Sequence, residues 1–343
     1  MKDQPTIAAA DTTGAVIPQG VAYKAAPGPV TTRDYVFLTL PRFTLLAFAA
    51  AIDPLRIANQ LSQKPLYRWR VASADGAPAV SSSGVSVAAD CGLGPVDRRA
   101  TVLVCAGVGG ADAASRPVLD WLRAHDRRGG TTGGICTGAC TLARAGLLGD
   151  EDYTLHWENQ AGFRELFGRD PLPQLYVLGE RHMTCAGGAA ATDMMLAIIA
   201  RDHGDSFAAA VGEMCLHGQA RAPGTGQRMP TALRARTRNP AVLRIVAAME
   251  AHIEEPLACS ALARIGGLSA RQMERQFATT LGRSPGQYYR DLRLARARAY
   301  LLETDLSLAD IAAACGFASR RALSQGFRAL FGVAPTDAHR ARL

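Results

Sequence analysis

Apolar and polar positions along residues 35–200 form short apolar runs that are separated by longer amphipathic stretches. The runs YVFLTL (35–40) and ATVLVCAG (100–107) have the length and continuity of buried strands. The stretches at 45–61 and 117–129 carry apolar residues at helical spacing. Strands that alternate with helices predict a parallel α/β sheet, whose functional loops lie at the carboxyl ends of the strands.

A cysteine follows another predicted strand, in the stretch GGICTGAC (Gly133–Cys140). The apolar positions after it have helical spacing, which places Cys136 on a sharp turn between a strand and a helix. Nucleophilic cysteines occupy such turns because a helix N-terminus favours the thiolate. Cys140 lies one helical turn further on. A redox pair with Cys136 is one interpretation, but buried free cysteines more often serve as small apolar packing residues.

The last third of the chain contains an internal repeat. GGLSARQMERQFATTLGRSP (266–285) matches GFASRRALSQGFRALFGVAP (316–335) at a constant offset of 50 residues. Each copy predicts a helix, a turn at a glycine, and a second helix capped by Ser269 or Ser319. A helix over 286–302, about 25 Å long, joins the copies. Two second helices so joined can lie near one DNA turn apart, about 34 Å, and contact two adjacent major grooves.

The second helix of each copy has an apolar face and a polar, basic face. Arginine, glutamine and serine side chains on such a face hydrogen bond to base edges and phosphates in the major groove. A solvated surface is the alternative explanation, but the duplication, the turn chemistry and the charge distribution favour DNA binding. The predicted DNA-binding residues are Ser269, Arg271, Gln272, Arg275, Ser319, Arg320, Arg321, Ser324, Gln325 and Arg328.

The net charge of +8 is confined to the last third of the chain. Residues 231–343 carry 17 arginines and 9 acidic residues, whereas residues 1–230 carry 21 basic and 21 acidic residues. A basic domain joined to a neutral one indicates nucleic acid as a partner. The stretch at 217–240 is rich in Gly, Pro and Arg, as linkers are. We predict a flexible tail over 1–32, a ligand-sensing domain over 33–216, a linker over 217–240 and a DNA-binding domain over 241–343.

The composition argues against several classes of protein. No apolar run approaches the roughly 20 residues that span a bilayer, and no signal-peptide pattern begins the chain, so we expect a cytoplasmic protein without membrane contact. The eight cysteines include no C-x-x-C pair, which argues against a zinc site and a disulfide framework. We expect neither a metal nor a cofactor.

These motifs resemble those of two known families. The segment 241–343, above all CGFASRRALSQGFRALFGVAP, resembles the AraC-type DNA-binding domain. The stretches AAAIDPLRIANQLS, GGICTGACTLARAGLL, TLHWENQAGFRE and TCAGGAAATDMMLAIIARDHG resemble the PfpI-like, class I glutamine amidotransferase-like family, in the GlxA-type form fused to AraC-type regulators. The resemblance covers residues 33–340 and implies a flavodoxin-like α/β domain followed by an all-α domain with two helix-turn-helix units. The LYRW and HWE patterns look nearest to regulators of glycine betaine and carnitine catabolism.

The resemblance places a histidine directly after the nucleophile of PfpI-like peptidases. Thr137 stands at that position here, so Cys136 lacks an adjacent base and we predict no catalytic residue. Relatives carry an acidic residue near the elbow where this chain has Asp53. A contact with the ligand or with Cys136 is one interpretation of Asp53, and a helix cap before Pro54 is the other.

The triplet His156, Trp157 and Glu158 completes the predicted ligand site. An aromatic face and a carboxylate suit a quaternary ammonium, which cannot donate hydrogen bonds. The alternatives are a core position for Trp157 and a hydrogen-bonded histidine at the end of a strand for His156. The predicted ligand-binding residues are therefore Asp53, Cys136, Thr137, His156, Trp157 and Glu158.

The predicted function is sequence-specific transcription regulation, as an activator by family habit, in response to a small metabolite such as a quaternary amine or an amino-acid derivative. The predicted partners are double-stranded promoter DNA, the effector, a second copy of the chain and RNA polymerase. Two alternatives stay open. One is a cysteine-dependent hydrolase, amidase or glyoxalase-like enzyme fused to a DNA-binding domain, and the other is a thiol redox sensor.

Overall fold

The structure is a computed structural model that describes residues 14–28, 30–110, 112–227, 237 and 239–340. The chain forms two compact units, each of which combines two stretches of sequence. The first unit comprises Met1–Trp157 and Pro171–Gln227, and the second comprises Glu158–Asp170 and Arg228–Leu343.

The first unit is built on parallel strands. Its strands are β1 (Arg33–Thr39), β2 (Tyr67–Ala72), β3 (Ala79–Val80), β4 (Ser86–Val87), β5 (Thr101–Cys105), β6 (Thr131–Ile135), β7 (Tyr176–Leu178) and β8 (His182–Cys185). Six of them form one sheet in the order β2-β1-β5-β6-β8-β7, in which only β7 is antiparallel to its neighbour. The side chains of Val102, Leu103 and Val104 in β5 are all buried, as expected for a central strand covered on both faces. The predicted parallel α/β sheet is confirmed.

Helices follow the strands as the apolar spacing predicts. They are α1 (Leu45–Ser62), α2 (Arg116–Arg127), α3 (Gly138–Arg144), α4 (Gln160–Phe167), α5 (Ala190–His203) and α6 (Asp205–Met214). Helices α1, α5 and α6 pack against one another, and α2 packs against α3 and β6. Helix α4 belongs to the second unit, although its sequence lies within that of the first.

Helix α1 continues through a proline without losing all of its hydrogen bonding. Pro54 has no backbone N–H, so it cannot donate to the carbonyl oxygen of Ala50 four residues earlier. That oxygen instead accepts a hydrogen bond from Thr192 Oγ1 of α5 at 3.2 Å. Because Pro54 leaves the carbonyl oxygen of Ala50 without its usual donor, this oxygen is free to accept the hydrogen bond that joins α1 to α5.

Segments at both ends of the first unit are bonded to its body. In the described part of the predicted tail, the N–H of Lys24 donates to the carbonyl oxygen of Leu61 at 2.9 Å. In the predicted linker, Gln227 Nε2 donates to the carbonyl oxygen of Leu155 at 2.9 Å. Contacts with the first unit therefore reach further along the chain than the predicted start of the linker at residue 217. Residues 1–13 and 29 of the predicted tail and residues 228–236 and 238 of the predicted linker lie outside the described residues.

The second unit is helical in its described residues. Besides α4, its helices are α7 (Pro240–Ala251), α8 (Cys259–Gly266), α9 (Ala270–Leu281), α10 (Pro285–Glu303), α11 (Leu308–Ala314), α12 (Arg320–Phe331) and α13 (Pro335–Arg340). Pairs α8–α9 and α11–α12 are the two predicted helix-turn-helix units, and α10 joins them. Gly267 and Gly316 take positive φ angles of 69° and 67° at the two turns, where glycine is the residue with least strain.

The duplicated helices bury two separate apolar cores. Met273 and Phe277 of α9 pack in the first core with residues of α7 and α8. Leu323 and Phe327, at the equivalent positions of α12, pack in the second core with residues of α11. Helix α10 contributes Tyr289 to the first core and Leu294, Ala297 and Leu301 to the second.

Candidate ligand site and nucleic-acid interface

Cys136 lies on a strained turn between β6 and α3. Its φ of 60° is in the left-handed region, which costs a non-glycine residue about 1–2 kcal/mol. The N–H of Cys136 donates to the carbonyl oxygen of Cys185 at 3.0 Å, which holds the turn against the end of β8. A side chain could not be accommodated at Gly138, because its Cβ would lie 2.2 Å from the carbonyl oxygen of Val104. The predicted elbow between strand and helix is confirmed.

Two loops enclose the thiol of Cys136. Thr44 Oγ1, at the start of α1, donates to Sγ at 3.6 Å. From the turn after β8, Gly187 approaches so closely that an added Cβ would lie 2.6 Å from the Cβ of Cys136. Cys136 keeps only 7% of its surface exposed, so little of this residue is accessible to a ligand.

Thr44 was not among the residues predicted from the sequence. It is the N-cap residue of α1, yet its side chain makes no capping hydrogen bond. The hydroxyl is oriented toward the Cys136 thiol instead. A threonine before a helix at the carboxyl edge of the sheet was the one sequence signal for this contact, and that signal equally predicts a cap.

The side chain of Thr137 is bonded within the fold. Its Oγ1 donates to the carbonyl oxygen of Gly107 at 2.7 Å, and only 2% of the residue is exposed. A Cβ on Gly110 would lie 2.0 Å from the same Oγ1, so the loop covers the hydroxyl directly. This burial opposes the prediction that Thr137 binds a ligand.

Other thiols lie near Cys136 at the ends of neighbouring strands. Cys105 of β5 and Cys185 of β8 are both paired with Ile135 of β6 in the sheet register. Burial raises the pKa of Cys185 to about 12, so this thiol stays protonated at neutral pH. Cys140 is also buried, as a packing residue would be. All eight cysteines are free, and within the described residues no group of three His, Cys, Asp or Glu side chains is arranged to hold a metal ion.

Asp53 lies away from the position that either interpretation required. Helix α1 begins at Leu45 with Thr44 as its N-cap residue, so the prediction that Asp53 caps a helix is wrong. Its carboxylate is 60% exposed and accepts a hydrogen bond from Arg56 Nε at 3.0 Å. The carboxylate also adds to the raised pKa of Cys215, which burial brings to about 11, so Asp53 lies near the end of α6. The structure therefore offers no support for a contact between Asp53 and the elbow.

His156 and Trp157 lie side by side. Their ring centroids are 5.4 Å apart with the planes tilted by 38°, and Trp157 is 42% exposed. The alternative that Trp157 is a core residue is therefore wrong. Glu158 follows directly, is exposed, and is the first residue of the second unit.

The segment before His156 is irregular rather than the predicted strand, but it is firmly held. The N–H of Thr154 donates to Thr184 Oγ1 of β8 at 2.8 Å. Thr154 Oγ1 donates to the carbonyl oxygen of Leu172 at 2.7 Å. These bonds replace the ladder of a strand and fix the chain two residues before His156.

The recognition helices α9 and α12 begin with serine caps, as predicted. Ser269 accepts from the N–H of Gln272 through its hydroxyl, while Gln272 Oε1 accepts from the N–H of Ser269 at 2.8 Å, forming a capping box. Ser319 accepts from the N–H of Ala322 at 3.2 Å. The amide oxygen of Gln272 is thus used within the helix, and its NH₂ group is the part left to meet DNA.

The polar faces of α9 and α12 are open to solvent. The five predicted arginines have no carboxylate partner among the described residues, so their charge is available to phosphate or guanine. Ser324 is half-buried. The exposed residues of the predicted set are Ser269, Arg271, Gln272, Arg275, Ser319, Arg320, Arg321, Gln325 and Arg328.

An α/β unit with a cysteine elbow that lacks an adjacent base, in the same chain as a tandem helix-turn-helix unit with basic faces, defines a DNA-binding regulator that carries an enzyme-like domain. The DJ-1/PfpI family profile matches residues 52–201, and the profile of a helix-turn-helix domain matches residues 262–341. Among the described residues, no helix is both long enough and apolar enough to cross a membrane.

Relatives of known name resemble the chain over nearly its whole length. The HTH-type transcriptional regulator GbdR of Pseudomonas aeruginosa is 40% identical over 302 residues, covering 88% of this chain and 82% of that protein. CdhR of the same organism is 39% identical over 307 residues (89% and 91%). GlxA of Rhizobium meliloti is 38% identical over 306 residues (89% and 94%). A THiJ/PfpI family protein from Pseudomonas syringae has the same fold, with a TM-score of 0.51 and 18% identity, covering 70% of this chain and 92% of that chain.

The chain belongs to the GlxA-type transcriptional regulators, in which a DJ-1/PfpI domain precedes an AraC-type helix-turn-helix domain. The predicted flavodoxin-like and helix-turn-helix fold is confirmed, and so is the prediction of a regulator rather than an enzyme.

Proposed function

We propose that the first unit binds a small cationic metabolite, such as a quaternary amine, at the elbow of Cys136, and that binding changes transcription. The main support for this proposal is the geometry of the elbow at Cys136. The strained turn is present, yet only 7% of Cys136 is exposed and the hydroxyl of Thr137 is bonded to the carbonyl oxygen of Gly107. A turn that keeps such strain without an adjacent base suits a binding site better than a nucleophile.

The aromatic side chain of Trp157, one of the predicted ligand residues, supports a cation as the ligand. Trp157 exposes 42% of its surface next to the ring of His156, and Glu158 follows with an exposed carboxylate. An indole face attracts a quaternary ammonium by about 0.5–2 kcal/mol without any hydrogen bond. Cys136, His156 and Trp157 are therefore the proposed ligand residues of the first unit.

In the second unit, we propose that α9 and α12 enter two adjacent major grooves of promoter DNA. The exposed arginines of both helices support this proposal, because they have no competing carboxylate among the described residues. The effector regulates DNA binding by favouring one state of the protein, which requires that it bind the two states differently. We further propose that the chain acts in the cytoplasm as a homodimeric activator that engages RNA polymerase.

A thermal-shift screen tests the ligand proposal. Glycine betaine, carnitine, choline, dimethylglycine and arginine are the probes. A specific ligand at 100 times its Kd adds about 2.7 kcal/mol to the free energy of unfolding and raises Tm with concentration. The shift should disappear in Trp157→Ala and persist in Leu166→Ala, which removes an apolar side chain of equal exposure, 42%. An undiminished shift in Trp157→Ala would place the ligand elsewhere, and no shift with any probe would contradict an amine effector.

A further inference from the structure

An arginine from the preceding helix holds the turn of each helix-turn-helix unit. In the first unit of the repeat, Arg244 of α7 donates to the carbonyl oxygen of Gly266 at 2.9 Å through Nη2. In the second, Arg293 of α10 donates to the carbonyl oxygen of Gly316 at 2.8 Å through Nη1. Gly266 and Gly316 both lie at the turn of their copy, so in each copy an arginine is bonded to a carbonyl oxygen of the turn.

Arg293 differs from Arg244 because it also bridges the two cores. Its guanidinium lies over the ring of Phe317, with 4.7 Å to the centroid, and over the ring of Tyr289, with 5.6 Å to the centroid. Phe317 packs against the second core and Tyr289 belongs to the first. The side chain therefore lies between the two units of the repeat.

Tyr289 is itself fixed to the first unit of the repeat. Its hydroxyl donates to the carbonyl oxygen of His252 and accepts from the N–H of Leu257 at 3.2 Å. The segment between these two residues leads from α7 into α8. Tyr289, on which Arg293 stacks, is therefore bonded to the segment that joins α7 and α8 in the first copy of the repeat.

Gly316 contacts the same segment from the other side. A Cβ at Gly316 would lie 2.5 Å from Cγ of Pro256 and 2.8 Å from the carbonyl oxygen of Glu254. The turn before α12 thus packs closely against the segment before α8. Arg293 donates a hydrogen bond to the carbonyl oxygen of Gly316 in the same turn. The two copies of the repeat therefore contact each other at this junction.

The burial of Arg293 costs stability, so stability by itself does not explain an arginine at this position. The residue is half-buried, its Nε is buried without a hydrogen-bond partner, and among the described residues no carboxylate pairs with it. Burial accordingly lowers the pKa of its guanidinium. An apolar side chain would fill the same space without this penalty, whereas only the planar fork of arginine both stacks on rings and bonds a carbonyl.

We infer that Arg293 is a positioning residue, which fixes α12 relative to α9 so that both enter successive major grooves at one spacing. The inference rests on the proposed binding of two grooves. Helix α10 is about 28 Å long, close to the 34 Å of one DNA turn, so a small rotation at Arg293 takes one recognition helix out of its groove.

The test measures how DNA binding by the full chain depends on the spacing between half-sites. A duplex is selected from a random pool with the wild-type chain, its half-sites are located by footprinting, and between one and five base pairs are inserted or removed between them. The wild type should bind one spacing best. Arg293→Ala should bind that spacing about 10- to 100-fold more weakly and lose the spacing preference, since simultaneous binding no longer adds affinity, while it binds each isolated half-site as the wild type does.

Two further variants distinguish loss of the positioning contact from loss of positive charge and from loss of folding. Arg293→Lys keeps the charge but not the planar fork, and should behave as Arg293→Ala does. Arg244→Ala removes the corresponding bond in the first copy of the repeat, at an exposed side chain. It should weaken binding to one half-site without changing the preferred spacing. If Arg293→Ala fails to fold, Arg293→Met keeps the apolar stem over the rings and takes its place in the test.

The outcomes distinguish this inference from the function on which it rests. A wild-type chain without any spacing preference would contradict the binding of two grooves. A strict preference in the wild type that persists in Arg293→Ala or Arg293→Met would overturn the role of Arg293 and leave the proposed function intact.

Discussion

The carboxylate of Asp193 has no exposure to solvent and is bonded twice by the guanidinium of Arg221, at 3.0 Å from Nε and 2.6 Å from Nη2. Its other oxygen accepts from the N–H of Arg221 and lies 2.8 Å from Nε2 of His217. A buried acid in the first turn of α5 thus holds the chain that leaves α6. The pair lies 28 residues apart in sequence.

Removal of Arg221 should be costly for the first unit. Arg221→Ala leaves the buried carboxylate with only His217 and a backbone N–H as partners, and loss of the partner of a buried charge destabilises proteins by up to about 3–5 kcal/mol. Arg56→Ala is the matched control, because it breaks an exposed pair with Asp53 that is expected to contribute about 0–1 kcal/mol. Urea unfolding measures both free energies. Equal losses in the two variants would show that burial of Asp193 has no special weight.

Two adjacent glycines after β8 should differ in their tolerance of a side chain. Gly187 and Gly188 have φ angles of 81° and 56°, so alanine at either position costs about 1–2 kcal/mol of backbone strain. Only at Gly187 would the new Cβ also clash, 2.6 Å from the Cβ of Cys136, whereas nothing lies within 4 Å at Gly188. Gly187→Ala should therefore lower Tm clearly more than Gly188→Ala. Identical Tm values would mean that the loop relaxes away from the elbow.

The thiol of Cys136 should react slowly with iodoacetamide. Its small exposed fraction limits attack, whereas Cys259 is exposed and serves as the internal reference. Mass spectrometry of the native protein should show alkylation of Cys259 first, and unfolding in urea should remove the difference. Preferential alkylation of Cys136 in the native protein would instead favour the enzyme or the redox sensor.

An arginine of the second recognition helix should contribute directly to DNA affinity. Arg321→Ala is expected to weaken binding to the selected duplex by about 1–3 kcal/mol. Arg116→Ala removes the same charge from α2 in the first unit, at a side chain that is 90% exposed, and should have little effect. Gel-shift titrations at several salt concentrations provide the comparison. Unchanged affinity in Arg321→Ala would remove α12 from the interface.

Acid should destabilise the first unit partly through His203. Burial lowers the pKa of this imidazole in the folded chain, and its ring packs edge-on against Tyr67 and Phe207, with centroids 5.7 and 5.8 Å away. Below a pH of about 6.5 the unfolded chain binds the proton more readily, so this residue's contribution is lost as pH falls from 6.5 through the folded value. His203→Phe should therefore lose less stability than the wild type between pH 7.0 and 5.5 in urea unfolding. A parallel decrease would assign the acid sensitivity to other groups.

Local signals in the sequence predict much of this molecule. The continuous apolar run of β5, the turn glycine Gly316 and the serine caps Ser269 and Ser319 each depend on a few neighbouring residues, and the structure confirms them. The elbow at Cys136 follows from the same kind of information, because a strand, a turn and a helix are all local patterns.

Side-chain direction depends on tertiary contacts and was harder to predict. Asp53 is adjacent to a proline, a pattern typical of a helix start, but the packing of α1 carries the helix through both residues. Thr137 occupies the position that suggested ligand contact, yet its direction is set by the loop at Gly107. The partners of Asp193, His217 and Arg221, and the ring of Phe317 beside Arg293 lie more than 20 residues away in the sequence, beyond the reach of any local periodicity.

The hydrogen bond from Thr192 to Ala50 has a mechanical consequence for the elbow. Thr44 at the start of α1 and Gly187 shortly before α5 both contact Cys136, and the bond between Thr192 and Ala50 joins the two helices further along. The elbow is therefore contacted from the starts of two helices that are hydrogen bonded to each other. Thr192 directly precedes Asp193, whose carboxylate bonds Arg221, so the helix that is joined to α1 also holds the stretch of chain through which the first unit ends.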